Sequence, residues 1–184
     1  MVITRPELWT DEGNSIAAML GSGVIERVHI RKPGLPCGAM RSFIESIPSE
    51  FHSSLSLHDC HELALEYGAG IHINTRNPQV PSGFKGTISQ SCHSIEEASP
   101  TADYHFLSPV FDSISKTGYR SAFNLDSLSE KINSSFIALG GVRPDKLAAI
   151  AAAGFGGAAF LGYIWNGKLS DNLQEIKRAI KECY

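Results

Sequence analysis

The chain has no cysteine pair at CxxC spacing, no histidine pair at HxxxH or HxH spacing, no long polar tract and no apolar run long enough to cross a bilayer. Each absence removes a class of protein. The four cysteines, Cys37, Cys60, Cys92 and Cys183, are widely spaced and lack the density of a disulfide scaffold, which favours a reducing compartment. Seven histidines without local spacing define no metal motif. The start, Met-Val-Ile-Thr-Arg-Pro-Glu, lacks the basic and apolar regions of a signal peptide, so a cytoplasmic protein without membrane association is expected. Neither sign of charge dominates. A net charge of −3 offers no bulk attraction to nucleic acid, and any anion site must be built locally.

What is present is a soluble globular composition, 42% hydrophobic and 19% charged, expected as a single domain over residues 1–184. Short β-branched or aromatic runs alternate with helix-like segments along the chain. Strands are expected at Val2–Thr4, Val24–Ile30, Ser53–Leu57, Gly70–Asn74, Thr87–Ser91, Tyr104–Pro109, Phe136–Val142 and Gly157–Leu161. Helices are expected at Thr10–Leu20, Pro36–Ile47, Cys60–Tyr67, a brief one from Ser94, Leu125–Ile132, Pro144–Ala153 and Leu169–Cys183. Between the fourth and fifth strands, Thr75–Gly86 holds Pro78, Pro81, Gly83 and Gly86, which argues against a regular helix there. Strict alternation implies parallel βαβ units, and eight of them close into a (β/α)8 TIM barrel with the helix after the fourth strand shortened or missing. The alternative, an open doubly wound sheet, commonly has fewer strands.

Polar residues gather just after each expected strand, where β/α barrels keep their active sites. Arg31 and Lys32, His58 and Asp59, Asn74, Ser91, and Gly140 and Gly141 all hold such positions. After the sixth strand, Ser113, Ser115 and Lys116 bring two hydroxyls and a cation within four residues, a composition suited to gripping phosphate. His29, His58, His72 and His93 are expected near the barrel mouth. His58 stands out because Asp59 beside it could hold its tautomer.

At these strand ends the sequence resembles the thiamine-phosphate synthase and TenI family. The matching pieces are His-Ile-Arg-Lys-Pro-Gly at 29–34, Leu-His-Asp at 57–59, Gly-Ile-His-Ile at 70–73, Ser-Cys-His-Ser-Ile-Glu-Glu at 91–97, Ser-Pro-Val-Phe-Asp-Ser-Ile-Ser-Lys at 108–116 and Ala-Leu-Gly-Gly-Val at 138–142. The resemblance implies a transferase of thiamine biosynthesis that joins hydroxymethylpyrimidine diphosphate to thiazole phosphate and releases pyrophosphate, with Mg2+ as cofactor and small phosphorylated heterocycles as substrates. It implies Arg31 and Lys116 as catalytic residues, to which the pattern of this chain adds His58, beside Asp59. Phosphate binding falls to His29, Lys32, Ser91, Ser113, Ser115, Gly140, Gly141 and Gly162, and metal binding to Asp59 and Asn77. A homodimer is a further possibility.

Departures from the family pattern are visible, the first being His58 where the family has an asparagine before its first metal aspartate. Asn77 stands where the family has a second metal aspartate, which removes a negative charge from the metal site. Gly162 replaces a phosphate-binding serine, and the tautomerase branch carries a histidine where this chain has Pro109. Two other readings therefore accompany the transferase: a thiazole phosphate tautomerase using His58, and a non-catalytic binder of thiazole phosphate or thiamine phosphate.

Overall fold

The computed structural model describes residues 1–112 and 131–183. Its strands are β1 (Val2–Ile3), β2 (Val28–Ile30), β3 (Leu55–Leu57), β4 (Gly70–Ile73), β5 (Ile88–Cys92), β6 (Tyr104–Leu107), β7 (Phe136–Ala138) and β8 (Gly157–Ala158). They follow one another in the sheet in sequence order, and the β1–β2, β2–β3, β3–β4, β6–β7 and β7–β8 pairings are parallel. The helices are α1 (Glu12–Gly21), α2 (Cys37–Glu45), α3 (Glu62–Tyr67), α4 (Leu147–Ala152) and α5 (Leu169–Cys183). This is the β/α order of a TIM-barrel-like fold, reached because short parallel strands need helical crossovers to return the chain. By its contacts the chain divides into two compact units, Met1–Ser89 and Gln90–Tyr184.

In the first unit, β1 to β4 carry Val2, Val28, Ile30, Leu55, Leu57 and Ile71 at 0% exposure. The helices contribute Ile16 and Met19 from α1 and Met40 and Ile44 from α2, also fully buried. At about 1.5–3 kcal/mol for each large apolar side chain removed from water, this layer supplies most of the unit's cohesion. Between β4 and β5 the chain makes turns and no helix, as the proline and glycine content of that stretch predicts. Asn74 and Asn77 exchange backbone hydrogen bonds at 3.2 and 3.1 Å, and Phe84 N donates to Pro81 O at 3.1 Å.

In the second unit, β6 and β7 bury Phe106, Leu107, Ile137 and Ala138. The closing helix α5 spans the residues its periodicity predicts and buries Ile176 at 1% exposure against a polar outer face. Two strands stop sooner than their apolar runs suggest. β7 ends at Ala138 rather than Val142 because Gly140 and Gly141 take φ of 90° and 64°, which no ladder accommodates. β2 begins at Val28 rather than Val24, after Gly23 turns the chain with φ 67°. The expected helix at Leu125–Ile132 lies mostly outside the described residues.

The cysteine reading needs one correction. Cys37, at the start of α2, and Cys60, in the turn after β3, form a disulfide, while Cys92 and Cys183 are free thiols. Their sequence separation of 23 carries no pairing signal; the two ends meet because β2 and β3 are parallel neighbours.

Lys32 sets a second constraint on the first unit. Its ammonium, at 1% exposure, donates to both carboxylate oxygens of Glu12 at 2.7 Å and to the carbonyls of Arg5 at 2.8 Å and Glu7 at 2.7 Å. Burial pushes Glu12 up and Lys32 down from their ordinary values, against the pairing that pulls both the other way. The pair therefore fixes geometry more than it adds stability. Lys32→Met should cost about 3–5 kcal/mol by leaving Glu12 buried without its partner, and adding Glu12→Met should recover a large part of that loss. Urea unfolding of the single and double variants measures both.

Candidate active site

Period-two alternation decides which side chains share a face. The register pairs His29 with Ser56, Ser56 with Gly70, and Leu57 with Ile71, so continuing the ladders one step sets His58 level with His72. His29, Arg31, His58 and His72 thus share one side of the sheet. Lys32 falls on the other, where it meets Glu12 of α1 and lies 5.4 Å from the Phe43 ring of α2. The sequence places Arg31 and Lys32 together as phosphate-binding cations. In the fold all three donors of Lys32 are spent inside the protein, and Arg31 remains as the cation on the histidine side.

Arg31 forms no ion pair with any other described residue. Its backbone is pinned instead: its N–H donates to Thr4 Oγ1 at 2.9 Å, and Thr4 Oγ1 donates to its carbonyl at 3.3 Å. A half-buried guanidinium held this way can turn to a ligand anion.

The three histidines are buried, at 0% for His29, 5% for His58 and 1% for His72. His29 Nδ1 and His58 Nε2 share a hydrogen bond at 3.0 Å, and the His58 and His72 rings stack with centroids 4.0 Å apart. Burial holds His29 and His58 well below the usual histidine range, helped in each by the neighbouring His72. His72 is pushed down to about 3, again chiefly by burial. All three are neutral imidazoles at physiological pH.

Asp59 follows His58 and is held by the loop after β4. Asn74 Nδ2 donates to the carbonyls of His58 at 2.8 Å and His72 at 3.2 Å, while its Oδ1 accepts from the N–H groups of Arg76 and Asn77. This side-chain turn aims Asn77, whose Nδ2 donates to Asp59 Oδ1 at 2.8 Å and to the His58 carbonyl at 3.2 Å. Arg76 approaches the same oxygen at 3.6 Å. The other oxygen, Asp59 Oδ2, is buried with no partner among the described residues. The next residue, Cys60, takes φ 55° and is bonded to Cys37, so the chain turns sharply away from the site. A cleft of about 470 Å³ opens beside this loop, lined in part by Cys37, Cys60, His61, Arg76 and Asn77.

Asp59 thus has one oxygen committed to Asn77 and one without a partner among the described residues. Asp59 Oδ2 suits a hard cation, but Asn77 turns its amide nitrogen to Asp59, because both acceptors it faces are oxygens. Magnesium there would have one protein oxygen, with water and substrate phosphate completing its shell.

The second unit holds the remaining expected residues. Ser91 is exposed near the end of β5, and Gly162 lies in the turn after β8. Gly140 and Gly141 pack against the segment after β6: a Cβ on Gly140 would come 2.8 Å from Pro109 Cα, and one on Gly141 would come 2.4 Å from the Asp112 carbonyl. Val110 N donates to Leu139 O at 2.9 Å and Phe111 N to Gly140 O at 3.1 Å, locking that segment to the glycine turn. Cys92 is fully buried and its thiol is pushed up to about 11 by burial, which makes it a poor nucleophile. Ser113, Ser115 and Lys116 lie outside the described residues.

The family model for thiamine monophosphate synthase (TMP-TENI) matches residues 1–164. The chain belongs to this family. Among solved structures, thiamine phosphate pyrophosphorylase from Bacteroides thetaiotaomicron is 30% identical, with a TM-score of 0.88 over 100% of this chain and 98% of that one. The Pyrococcus furiosus thiamine phosphate pyrophosphorylase is 21% identical, with a TM-score of 0.80 over 99% and 95% of the two chains. A 3-hexulose-6-phosphate synthase, 13% identical with a TM-score of 0.63 over 97% and 98%, shares the fold alone. No curated protein sequence matches the chain.

Sequence spacing places His29, His58 and His72 near the barrel mouth but finds no metal motif in them. Their closeness is a product of strand register, visible only once β2, β3 and β4 are aligned. Asn74, which organises the Asp59 loop, gives no sequence signal beyond its place after a strand.

Two outcomes are expected. Gly141→Ala, strained at φ 64° and blocked by the Asp112 carbonyl, should lower the melting temperature by several degrees, since loss of a required left-handed glycine costs about 1–3 kcal/mol. In metal-free buffer, stability should fall as pH drops below about 6.5, because the unfolded chain takes up protons that the buried histidines refuse. Each histidine contributes a slope of at most about 1.4 kcal/mol per pH unit. For His72 that loss continues until its folded value of about 3 is reached. A flatter profile between pH 6.5 and 5 in His72→Gln, followed by urea unfolding, checks the assignment.

Proposed function

We propose that the chain is a thiamine-phosphate synthase-type transferase, coupling hydroxymethylpyrimidine diphosphate to thiazole phosphate with release of pyrophosphate. The observation that carries this reading is the pairing of two anion-handling groups after neighbouring parallel strands. Arg31 follows β2 with its guanidinium uncommitted to any described carboxylate, and Asp59 follows β3 with one buried oxygen unpartnered. Family membership supplies the reaction class to which those groups correspond.

The chemistry asks little covalent work of the protein. Departure of pyrophosphate leaves a pyrimidine-methyl cation that the thiazole nitrogen captures, so the requirement is to hold a diphosphate and spread its growing charge. Arg31 supports this as a fixed, fork-shaped donor that binds phosphate oxygens two at a time. Asp59 would hold Mg2+ through Oδ2, and the ion, when bound, neutralises the leaving diphosphate.

Incubation of the pure protein with both substrates and magnesium should give thiamine phosphate. Arg31→Ala should lower kcat/KM by about 10–100-fold, the equivalent of one charge-assisted contact of about 1.5–3 kcal/mol. No product above background at micromolar enzyme would end the transferase reading. Conversion of a thiazole phosphate to its isomer would then point to a tautomerase, and calorimetric binding of thiamine phosphate without turnover to a binder.

A further inference from the structure

The His29, His58 and His72 cluster does more than the proposed transfer requires. One candidate ligand nitrogen from each lies within 4.8 Å of those from the other two, with His29 on β2, His58 just after β3 and His72 on β4 of the same unit. We propose that these three imidazoles form a binding site for a borderline divalent cation of the zinc class, distinct in ligand chemistry from the single-carboxylate magnesium position at Asp59.

Four observations carry it. First, the donor set is all nitrogen and all buried, and imidazole prefers zinc, cobalt, nickel or copper to magnesium. Second, the spacing is close to what coordination needs. At metal–nitrogen distances of about 2.0–2.1 Å, tetrahedral donors stand about 3.3 Å apart. His29 Nδ1 and His58 Nε2 are already 3.0 Å apart. Binding needs the proton between those two atoms to pass to the other nitrogen of its own ring, which leaves both lone pairs to the cation, and draws in the third nitrogen, which lies within 4.8 Å of the other two.

Third, His72 has the outer support that metal-bound histidines typically show. Ser89 Oγ donates its only proton to the Ile71 carbonyl at 3.1 Å, so the 2.9 Å contact between Ser89 Oγ and His72 Nδ1 is one in which His72 donates. That fixes the Nδ1–H tautomer and leaves the lone pair on Nε2. Fourth, His58 is steadied from behind: its carbonyl accepts from Asn74 Nδ2 at 2.8 Å and Asn77 Nδ2 at 3.2 Å, which anchors the backbone from which the ring projects. Three protein nitrogens leave a fourth position open to water or to a heteroatom of a bound molecule.

Metal binding is read without turnover, so its failure and the failure of the transferase reading are separable. Chelator-treated protein is titrated with cobalt(II), whose visible absorption reports tetrahedral nitrogen coordination, and then with zinc against a competing chelator. One equivalent per chain is expected, with zinc displacing cobalt and millimolar magnesium displacing neither. His58→Asn and His72→Gln should abolish the cobalt spectrum, and zinc should raise the melting temperature of the parent chain but not of these variants. Ser89→Ala, which removes a positioning residue, should weaken binding by about 10–100-fold while keeping the stoichiometry. His93→Gln alters an exposed histidine of the other unit and should change nothing. Should either ligand variant fail to fold, the Ser89→Ala shift still decides. Binding of less than a stoichiometric amount, unchanged affinity in Ser89→Ala, or loss of binding in His93→Gln would overturn the proposal.

Discussion

The register of the first three parallel ladders is the constraint on which the site depends. Because Val28 pairs with Leu55 and Leu57 with Ile71, even-numbered steps along β2, β3 and β4 fall into step across the sheet. A slip of one residue would exchange the faces. His29, Arg31, His58 and His72 would then turn to the helices, while Ile30, Leu57 and Ile71 would lose their apolar partners. The apolar packing that stabilises the fold and the polar arrangement that gives it chemistry are thus consequences of one alignment. Lys32 reinforces it, since its ammonium reaches Glu12 and two carbonyls only from the helix side.

Much of this was legible in the sequence, and the residues show why. Eight short apolar runs separated by helix-like segments gave the β/α order, and the proline and glycine content after Asn74 marked the missing helix. Local patterns failed where distance along the chain hides proximity. Arg31 and Lys32 read as one basic pair, yet adjacent strand residues face opposite ways, so only Arg31 lies on the histidine side. The Cys37–Cys60 bond joins positions 23 apart and was unreadable for the same reason. Strand ends were overestimated at Val142 because an apolar residue beyond two left-handed glycines still looks like ladder sequence.

The departures from the family pattern acquire a physical sense together. Asn77 does not fill the place of a second metal oxygen; it donates to Asp59 and so secures the one carboxylate that remains. On this side of the sheet the described residues offer one unpartnered carboxylate oxygen, Asp59 Oδ2, and three buried imidazoles. Such a surface still suits a diphosphate, because Arg31 supplies the positive charge and Asp59 can recruit a cation with it.

The most direct measurement of this account is a crystal structure of the protein with magnesium and inorganic pyrophosphate. The diphosphate is expected within hydrogen-bond distance of the Arg31 guanidinium, with the cation bridging it to Asp59 Oδ2 and Lys32 still on Glu12. A diphosphate seated away from Arg31, or a Lys32 that leaves Glu12 to bind it, would contradict the face assignment and the transferase reading built on it.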